Sequence, residues 1–588
     1  MSSAERVSEG IALHQVGDLV AAERHYREAL ADDPSHPEAL HLLGVLLRQR
    51  GELRTAIAYI RQAIGLNPRQ PVYHYNLGII LDDLGELGSA EESYRQTLSL
   101  QPNHPQALAN LGAVLRRSGR PGEAEVCYRG VLGFLDQNPV CLNNLGNALR
   151  EQGRIEEALE CFRQALAVHP HYARAHSNLL LTLQYLPGIT ANQLVAPHEE
   201  WQSRHAAPIQ ASWLPHDNIP DVNRPLRLGF VCAHLACHPV GKLSVRGLEA
   251  IGRDQCQLFF YCGDTRDGGL RPRFEAIGHW RTVDTFSDDD LANLIRRDNI
   301  DVLFDLSGHA DGGRLLTFAR KPAPVQISWL GYVGTTGLAA MDYVLADAIH
   351  APHGVDVHYS EQILRLPRCY SCFDPPQQAP PVEESSWERN GSITFGGSHN
   401  PAKLNTSTLR TWAEVLRRIP GSRLHLRYSG LDELAVSDRY HSLLASHGID
   451  LSRVELTGRS SPEELMVWYQ QLDVVLDPFP YSGGVTTCES LWMGVPVVTI
   501  LGETFAGRHA ASYLHHVGLT DLIASDREGY VERAVWLATD HQRRLEIRTD
   551  LRARVESTLC DGVGFARDFV GAIYQVWREW CSERKNSR

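Results

Sequence analysis

Residues 480–499, PYSGGVTTCESLWMGVPVVT, combine the residue types that bind a phosphate group. Gly483 and Gly484 permit backbone conformations that other residues avoid. Thr486 and Thr487 can cap a helix at its N-terminus, where free N–H groups and the positive end of the helix dipole attract anions. The spacing therefore predicts a helix that begins at an anion site. A capped helix between two strands, without any ligand, is the structural alternative.

Length, charge and composition limit the class of protein. The chain has 588 residues, too many for one hydrophobic core. Its net charge of −13 argues against nonspecific binding of nucleic acid. No apolar run has the length of a membrane span, and the first residues are too polar for a signal peptide. The twelve scattered cysteines are typical of a reducing compartment. We therefore expect a cytoplasmic protein of several domains, with neither a nucleic acid nor a membrane as partner.

Small residues recur every 34 positions in the first third of the chain. This period is typical of tetratricopeptide repeats, in which two antiparallel helices cross closely at glycine and alanine. The sequence therefore predicts a helical repeat array over residues 1–186 and a helical connector over 187–222. The recurrent positions are Gly10, Gly44, Gly78, Gly112 and Gly146, with Ala22, Ala56, Ala90, Ala124 and Ala158.

Asparagine recurs with the same period, at Asn76, Asn110, Asn144 and Asn178. Repeat arrays of this kind usually bind peptides in a concave groove. Asparagines on one face of the groove can hydrogen-bond the backbone of an extended peptide without reading its sequence. Packing between neighbouring repeats is the alternative explanation.

The rest of the chain alternates short apolar runs with amphipathic stretches, which predicts parallel sheets covered by helices. We expect a first lobe over 223–374, a linker over 375–391, and a second lobe with a closing helix over 392–588. Two such lobes leave a cleft at the carboxyl ends of their strands, where ligands bind. The predicted strands are 227–233, 257–263, 301–308, 324–331, 392–398, 422–430, 453–459, 473–479 and 495–500.

An ordered series of motifs leads up to the glycine and threonine pairs. The segment VELTGRSSPEELMVWYQQLDVVLDP predicts a strand, a loop and a helix capped by Ser461, followed by strand 473–479. The anion site then lies at the carboxyl end of that strand. This order and spacing resemble the nucleotide-sugar half of GT-B glycosyltransferases.

Three segments carry a closer resemblance, to the protein O-linked N-acetylglucosamine transferase family. They are HLACHPVGK, SGHADGGRLLTFARKPAPVQISWLGYVGTTGLAAMDYVLAD and GVTTCESLWMGVPVVTILGETFAGRHAAS. The resemblance implies an α-helical tetratricopeptide superhelix followed by an α/β GT-B fold of two Rossmann-like lobes. The short linker is of the bacterial type, since it lacks the large intervening domain of animal members.

The resemblance also implies an activity. It is the inverting transfer of a sugar, N-acetylglucosamine above all, from a UDP donor to serine or threonine hydroxyls of proteins. The UDP-sugar is a co-substrate, and neither a metal nor another cofactor is expected. The partners are acceptor proteins or peptides, bound in the repeat groove by Asn76, Asn110, Asn144 and Asn178.

Two residues have catalytic roles by this resemblance. His238 matches the active-site histidine. This histidine either takes the proton of the acceptor, or it only orients the acceptor while a phosphate oxygen of the donor takes the proton. Lys403 matches the lysine that grips the donor diphosphate. Its residue type supports this role independently, because only four of the 57 basic residues are lysines. A lysine kept in a loop of such a chain indicates a site that needs a compact ammonium.

The same resemblance gives the residues that bind the UDP-sugar. Val485 stands where animal members have a histidine and Ser490 where they have an aspartate that binds ribose, so we expect Glu489 to take over the ribose. Leu465 and Trp468 replace polar nucleotide contacts, and Trp468 can stack on the base. The predicted UDP-sugar-binding residues are Asn400, Lys403, Arg459, Ser460, Ser461, Pro462, Leu465, Gly484, Val485, Thr486, Thr487, Glu489 and Ser490.

Two further patterns are better explained by structure than by metal binding. Asp288, Asp289 and Asp290 mimic the metal-binding DxD of other glycosyltransferases, but they follow Ser287 and open a helix, where carboxylates favour the positive end of the dipole. The CxxC pair at 369–372 has no partner pair or histidine cluster near it in sequence, so it predicts no zinc site.

Three other functions stay open at this point. The first alternative is a peptide-binding scaffold with a catalytically silent fold. The second is a related glucosyltransferase that modifies asparagine, and the third is a UDP-sugar 2-epimerase. The intact motifs argue against the first, and the repeat array argues against the other two.

Overall fold

The structure of the protein is a computed structural model that describes residues 1–236, 238–263 and 269–586. The chain forms two compact units, Met1–Gln152 and Gly153–Arg588. The first unit contains helices, and the described strands all lie in the second. The division falls inside the predicted repeat array of 1–186, because its last helices pack into a core of the α/β part.

Antiparallel helix pairs make up the first unit. Proline occupies the first turn of the first helix in several repeats, as at Pro37 and Pro71, where its missing N–H costs no hydrogen bond. The turn within each pair contains a glycine in the left-handed region, such as Gly17 with a φ of 85° and Gly51 with a φ of 81°. The helices are Ser3–Gln15, Leu19–Asp32, Pro37–Gln49, Leu53–Leu66, Pro71–Asp83, Leu87–Leu100, Pro105–Arg117, Pro121–Leu132 and Pro139–Glu151.

Close packing of the small residues confirms the tetratricopeptide prediction. A Cβ atom on Gly10 would lie 2.6 Å from the ring of Tyr26, and one on Gly78 would lie 2.7 Å from the ring of Tyr94. The recurrent alanines are fully buried, so a larger side chain there would separate the two helices of a repeat.

The second unit begins with helices that pack against the first lobe. Leu183 and Trp201 share a buried core with Phe259 of the first sheet. The predicted connector of 187–222 is helical only in its first part, since residues 211–222 contain no helix or strand. The helices of this segment are Ile155–Val168, Ala173–Leu183, Ala191–Trp201, the π-helical Gln202–Ala206, and Ala207–Gln210.

The first lobe is built on a parallel sheet with seven described strands. They are β1 (Leu226–Cys232), β2 (Cys256–Cys262), β3 (Gly278–Thr282), β4 (Val302–Asp305), β5 (Val325–Ser328), β6 (Tyr343–Asp347) and β7 (Gln362–Leu366). Their order across the sheet is β3-β2-β1-β4-β5-β6-β7. Phe230 of β1 stacks on Phe304 of β4 with ring centroids 4.8 Å apart. The helices are Pro239–Lys242, Val245–Glu249, Arg271–Ile277, Asp288–Arg297, Leu315–Phe318 and the 3-10 turn Asp356–His358.

The second lobe repeats this design with six described strands. They are β8 (Thr394–Ser398), β9 (Arg423–Arg427), β10 (Val454–Thr457), β11 (Val474–Leu476), β12 (Val497–Ile500) and β13 (Ile523–Ala524). Their order is β10-β9-β8-β11-β12-β13, again parallel. The α-helices are Ser386–Asn390, Thr406–Arg418, Leu434–Ser446, Pro462–Tyr469, Val485–Trp492, His509–His516, Arg527–Thr539 and His541–Ser557. The 3-10 turns are Pro401–Lys403, Leu451–Arg453, Phe505–Arg508 and Thr520–Leu522.

The predicted fold class, a helical repeat array followed by two parallel α/β lobes, is confirmed. Each of the nine predicted strands overlaps an observed one. The strands β3, β6, β7 and β13 were not among the predictions.

The last helix, Gly562–Asn586, returns from the second lobe to the first. Phe569 stacks on Phe304 of β4 with ring centroids 5.3 Å apart. Nε1 of Trp577 donates a hydrogen bond to the carbonyl of Asp221 at 3.0 Å. The helix that was predicted to close the second lobe therefore completes the core of the first.

Candidate active site

The central strands of both sheets direct their carboxyl ends into a common cleft. Strand order reverses between β1 and β4 in one sheet and between β8 and β11 in the other, and ligands bind at such switch points. The loops after β1, β8 and β11 bring His238, Lys403 and Gly484 to one cavity of about 280 Å³, which we call the cleft. It is also lined by Tyr185, Val333, Tyr370, Asn400, Tyr428, Tyr481, Val485, Thr486, His509 and Tyr513.

His238 is exposed to the cleft and stands at the N-cap of the helix Pro239–Lys242. Its Nδ1 accepts a hydrogen bond from the N–H of Val240 at 3.3 Å. The cleft walls surround the ring, and this desolvation lowers its pKa to about 4, with a smaller contribution from His234. The ring is therefore neutral at neutral pH. Because Nδ1 acts as an acceptor, Nε2 carries the hydrogen.

Lys403 ends the turn that follows β8. Its Nζ donates a hydrogen bond to the carbonyl of Ser482 at 2.7 Å and lies 4.3 Å from the ring centroid of Tyr481. Burial lowers the pKa of Lys403 to about 8, although the nearby Asp477 opposes the shift. An ammonium has three hydrogens, so Lys403 keeps donors for an anion in the cleft.

Asp477 holds the loop that precedes the helix Val485–Trp492. Its carboxylate accepts hydrogen bonds from the N–H of Gly483 at 2.7 Å and from Oγ1 of Thr499 at 2.6 Å. Burial raises the pKa of Asp477 to about 6, against the effect of these hydrogen bonds. A Cβ atom on Gly483 would lie 2.4 Å from Oγ1 of Thr487, so only glycine fits here.

The helix Val485–Trp492 begins at Gly484, and no side chain caps it. The prediction that threonines cap this helix is therefore wrong, because Thr486 and Thr487 lie within its first turn. Gly484, Val485 and Thr486 line the cleft, whereas Thr487 is buried. The uncapped end of the helix, with its free N–H groups, thus lies at the cleft.

Glu489 and Ser490 follow in the same helix but do not line the cleft. Glu489 is 2 % exposed, and its Oε1 accepts a hydrogen bond from Nζ of Lys242 in the first lobe at 2.9 Å. Its Oε2 is buried without a hydrogen-bond partner in the described part of the chain, and the ribose contact of Glu489 stays a prediction. Ser490 is fully buried and donates to the carbonyl of Val495 at 2.9 Å.

The predicted uracil-recognition loop lies beside a second cavity, of about 300 Å³. Pro462 lines this cavity together with Lys242 and Met466. Oγ of Ser461 accepts a hydrogen bond from the N–H of Glu464 at 3.1 Å, so it caps its helix as predicted. The structure brings none of the five predicted residues of this region to the lining of the cleft; they are Arg459, Ser460, Ser461, Pro462 and Leu465.

Trp468 is not available to stack on a nucleotide base. Its side chain is 1 % exposed, and Nε1 donates a hydrogen bond to the ring of His425 at 2.9 Å. Leu465, one turn earlier, packs against the same hydrophobic core. The stacking prediction for Trp468 is therefore wrong, because the helix turns this face toward the sheet.

Three of the recurrent asparagines lie in the first unit. Asn76 pairs through Nδ2 with Nε2 of His41 in the preceding repeat at 2.7 Å. Asn110 donates to the hydroxyl of Tyr75 at 3.4 Å. Asn144 is half-buried and accepts from the amide of Asn143 at 3.3 Å. These contacts show a packing role for at least two of them, as the alternative explanation required. In the second unit, Asn178 is buried at a separate cavity.

The three consecutive aspartates serve the helix that they open. Oγ of Ser287 accepts the N–H of Asp290 at 3.1 Å, which caps the helix Asp288–Arg297. Asp288 forms an ion pair with Arg314 at 2.8 Å, and Asp289 forms one with Arg320. The structural explanation of this pattern is confirmed.

Cys369 of the CxxC pair lies near Asp347 and His516, with side-chain atoms within 4.8 Å of one another. Burial raises the pKa of the Cys369 thiol to about 12, so it keeps its hydrogen. Oδ2 of Asp347 accepts hydrogen bonds from Ser512 at 2.8 Å and from the N–H of Tyr370 at 3.3 Å. This group is a hydrogen-bonded network of the core.

Sequence reasoning missed the aromatic and histidine side chains of the cleft wall. His509 and Tyr513 belong to the helix His509–His516, which follows β12. The segment GRHAAS (507–512) follows the predicted strand 495–500 after six intervening residues. Position after the carboxyl end of a parallel strand was the signal that marks His509 as a residue of the cleft.

Comparison with models of known protein families gives two matches to the chain. The model of glycosyl transferase family 41 matches residues 155–386 and 389–569. The chain belongs to this family. Its matched ranges contain His238, Lys403 and the helix Val485–Trp492. A second model, of the cilia and flagella-associated protein 70 C-terminal domain, matches residues 2–207.

Relatives within the family are named for sugar transfer to peptides. The probable UDP-N-acetylglucosamine–peptide N-acetylglucosaminyltransferase SPINDLY of Oryza sativa subsp. japonica is 34% identical over 427 residues, which cover 71% of this chain and 46% of the relative. The probable enzyme SEC of Arabidopsis thaliana, with the same activity in its name, is 29% identical over 372 residues, 61% of this chain and 38% of the relative. The chain thus spans less than half the length of these curated relatives.

One solved structure matches the chain along its whole length. It is a mutant of the Thermobaculum terrenum O-GlcNAc transferase, with 31% sequence identity and a TM-score of 0.71. The match covers 99% of this chain and 98% of the other. No helix in the described part of this chain is long and apolar enough to cross a membrane.

Proposed function

We propose that this protein transfers a sugar, N-acetylglucosamine above all, from a UDP donor to serine or threonine hydroxyls of proteins. One observation carries the proposal. His238 of the first lobe shares a cleft with Lys403 and the uncapped helix end at Gly484, both of the second lobe. The names of the relatives in family 41 support the same donor and the same class of acceptor.

The second lobe provides the site for the donor diphosphate. Its negative charge suits the ammonium of Lys403 and the free N–H groups at the start of the helix Val485–Trp492. Charge builds up on the diphosphate as the bond to the sugar breaks. Fixed donors in a partly dry cleft stabilise this charge more strongly than water does. Lys403 therefore acts on the leaving group and raises the rate of transfer.

His238 serves the acceptor side of the cleft in this proposal. Its Nδ1 is occupied by the N–H of Val240, and its Nε2 bears a hydrogen. In this tautomer the ring donates a hydrogen bond to an oxygen of the acceptor or of the sugar, and does not take a proton. Of the two roles that the sequence left open, we therefore propose that His238 orients the acceptor.

The reaction in our proposal needs no metal. The cleft lining contains cationic and neutral side chains, and no carboxylate is among the described residues that line it. Lys403 and the helix N-terminus take the place that a divalent cation has in other glycosyltransferases. Inversion at the sugar follows if the acceptor attacks from the side of His238, opposite the diphosphate.

We also propose that the repeat array recruits the acceptor protein and that the protein works in the cytoplasm. The free and buried state of the described cysteines supports a reducing compartment. A hydroxyl acceptor in an extended protein segment suits a groove formed by tetratricopeptide repeats.

Calorimetry and mass spectrometry test the proposal. UDP should bind in the presence of EDTA, and GDP should bind more weakly if the base pocket fits uracil. The full chain, incubated with UDP-N-acetylglucosamine and a lysate depleted of small molecules, should add the mass of one N-acetylhexosamine to serine or threonine. Binding that appears only with Mn²⁺ or Mg²⁺ would refute the metal-free proposal. Sugar on asparagine would show the related glucosyltransferase instead. Epimerisation of the donor without transfer would show the 2-epimerase.

A further inference from the structure

A row of three side chains joined by hydrogen bonds leads from the core of the first lobe to the cleft. Nδ1 of His350 lies 2.9 Å from Oδ2 of Asp347, and Nε2 of His350 lies 2.9 Å from Nδ1 of His509. His509 lines the cleft with His238 and Lys403. We propose that His509 takes the proton of the acceptor hydroxyl during transfer, and that Asp347 and His350 hold this proton behind it. The inference rests on the proposed function.

Asp347 fixes the direction of the hydrogen bonds in the row. It ends β6 and is 1 % exposed. Burial opposes its charged form, but the hydrogen bonds that it accepts from His350 and Ser512 favour that form, and its pKa lies below its ordinary value. An ionised carboxylate has no hydrogen to donate. Nδ1 of His350 must therefore carry the hydrogen of their bond.

The tautomer of His509 depends on the hydrogen positions of His350. In our proposal His350 is the neutral ring with its hydrogen on Nδ1, facing Asp347. Its Nε2 is then an acceptor, so the hydrogen of the second bond belongs to Nδ1 of His509. Burial lowers the pKa of His509 well below its ordinary value, and the charge of Lys403 adds to the shift. Nε2 of the neutral ring then has a free lone pair, and within the described residues it makes no hydrogen bond. His509 thus presents a proton acceptor to the cleft.

Other ionisable groups of the cleft wall are donors. Nε2 of His238 bears a hydrogen, and Nζ of Lys403 is an ammonium in contact with a carbonyl. Burial raises the pKa of Tyr481 and of Tyr513 well above the ordinary value, so both hydroxyls keep their hydrogens. Of these five side chains, only His509 has an unprotonated nitrogen that does not already accept a hydrogen bond, since Nδ1 of His238 accepts from Val240.

The proton and the electrons balance in this step. The acceptor oxygen forms a bond to the anomeric carbon, and the bond from that carbon to the diphosphate oxygen breaks and leaves its electron pair on the diphosphate. The acceptor proton passes to Nε2 of His509, and the hydrogen on Nδ1 of His509 moves to Nε2 of His350. His350 becomes an imidazolium beside the carboxylate of Asp347, an arrangement that stabilises the charge as in other carboxylate–histidine pairs.

Donor binding prepares His509 for this role. The positive charge of Lys403 contributes to the low pKa of His509. A diphosphate bound at Lys403 cancels that charge and makes Nε2 of His509 more basic. His509 therefore becomes an effective base only after the donor has bound, and it is ready when the acceptor reacts.

Replacement of His509 tests the inference in the full chain. His509→Ala should lower kcat by about 10²–10⁴ while UDP affinity changes by less than about threefold. Added imidazole should restore part of the rate, and more basic imidazole derivatives should restore more of it. The matched control is His515→Ala, which removes an exposed histidine of the same helix and should leave kcat unchanged.

His350→Gln separates the position of His509 from proton storage. The glutamine oxygen can still accept the Nδ1 hydrogen of His509, but it cannot take up a proton at neutral pH. We expect kcat to fall by about tenfold with unchanged UDP affinity, because only the acid–base contribution is reduced. A melting temperature close to that of the wild type shows that a lower rate of this variant does not come from loss of folding.

Two outcomes overturn the inference. A His509→Ala variant that transfers sugar within threefold of the wild type shows that His509 is not the base, while the proposed function stands. A variant that binds UDP normally, transfers nothing and gains nothing from any imidazole shows a packing role instead. UDP binding and transfer by the wild type, measured first, test the proposed function separately.

Discussion

Lys242 and Glu489 form an ion pair across the two lobes, with Nζ of Lys242 2.9 Å from Oε1 of Glu489. Glu489 is almost fully buried, whereas the Lys242 side chain keeps 32 % exposure. Because Lys242→Met leaves an unpaired buried carboxylate, we expect a loss of stability on the order of 2 kcal/mol, below that of a fully buried pair. Calorimetric melting of the Lys242→Met, Glu489→Gln and double variants measures the coupling. Strictly additive shifts would show that the pair contributes nothing.

Lys403→Ala should reduce kcat by about 10²–10³, because it removes the ammonium that stabilises the leaving diphosphate. Lys403→Arg should restore little activity, since the guanidinium is larger and the site between Ser482 and Tyr481 is fitted to a compact ammonium. Single-turnover rates with saturating UDP-sugar measure both effects. Near-normal turnover of the alanine variant would eliminate this role for Lys403.

His238→Ala should abolish most transfer and leave UDP affinity nearly intact, because the residue belongs to the first lobe. A matched variant, His238→Asn, distinguishes two explanations. Its amide oxygen can accept the N–H of Val240 and keep the helix cap, but it lacks the Nε2 hydrogen. We expect both variants to lose about 10²-fold or more in kcat. Recovery in the asparagine variant alone would reduce His238 to a capping residue.

Alanine at the recurrent asparagines should affect long protein acceptors more than short peptides. Each backbone hydrogen bond contributes only about 0.5–1.5 kcal/mol, so several must act together in a groove. Asn76→Ala should also lower the melting temperature, because it leaves the ring of His41 buried without its partner. Asn144→Ala, at a half-buried position, is the better probe of acceptor binding. A folded variant with alanine at all four asparagines that modifies proteins and peptides at unchanged rates would show that the asparagines do not bind the acceptor.

Acid should destabilise the protein through its buried histidines, and His198 is the clearest case. Its Nε2 accepts a hydrogen bond from the hydroxyl of Tyr332 at 2.8 Å, and burial lowers its pKa to about 4. Between pH 4 and the ordinary value of 6.5, the unfolded chain binds more protons, so stability is lost as pH falls below 6.5. The loss from this group at about pH 5 is roughly 2 kcal/mol.

The variant His198→Gln isolates this contribution. The amide retains a hydrogen-bond acceptor for the Tyr332 hydroxyl but has no titration in this range. Melting temperatures measured between about pH 7 and pH 5 should therefore fall less steeply for the variant than for the wild type. Parallel curves would contradict the assignment of His198.

Sequence patterns predicted the strands that are buried on both faces, because these read as continuous apolar runs. The edge strand β3 has the sequence GHWRT and presents no such run, and β13 contains only two residues. The polar β7 is also an edge strand. The apolar β6, YVLAD, lies inside the sheet, and its absence from the predictions has no structural explanation. Local periodicity therefore recovers most central strands of the two sheets and misses three of the four described edge strands, with β10 as the predicted one.

The site divides in the same way. The anion-binding part of the site was predictable, because Gly483, Gly484 and Lys403 can be recognised from their residue types and from their positions after a strand. The pairs Lys242–Glu489 and His350–His509 were not, because their members are 247 and 159 residues apart. Trp468 was misassigned because the sequence of a short amphipathic helix does not tell which face meets the sheet.

Because the last helix returns to the first lobe, the first lobe can complete its fold only after the end of the chain has been made. Phe565 and Phe569 complete the core around Trp329, yet they are made only after the whole second lobe has been synthesised. The first lobe must therefore wait with an apolar surface uncovered, while the repeat array ahead of it can already be folded. Separate expression of the two lobes, cut in the linker, should give an aggregating first fragment unless the helix Gly562–Asn586 is grafted onto it.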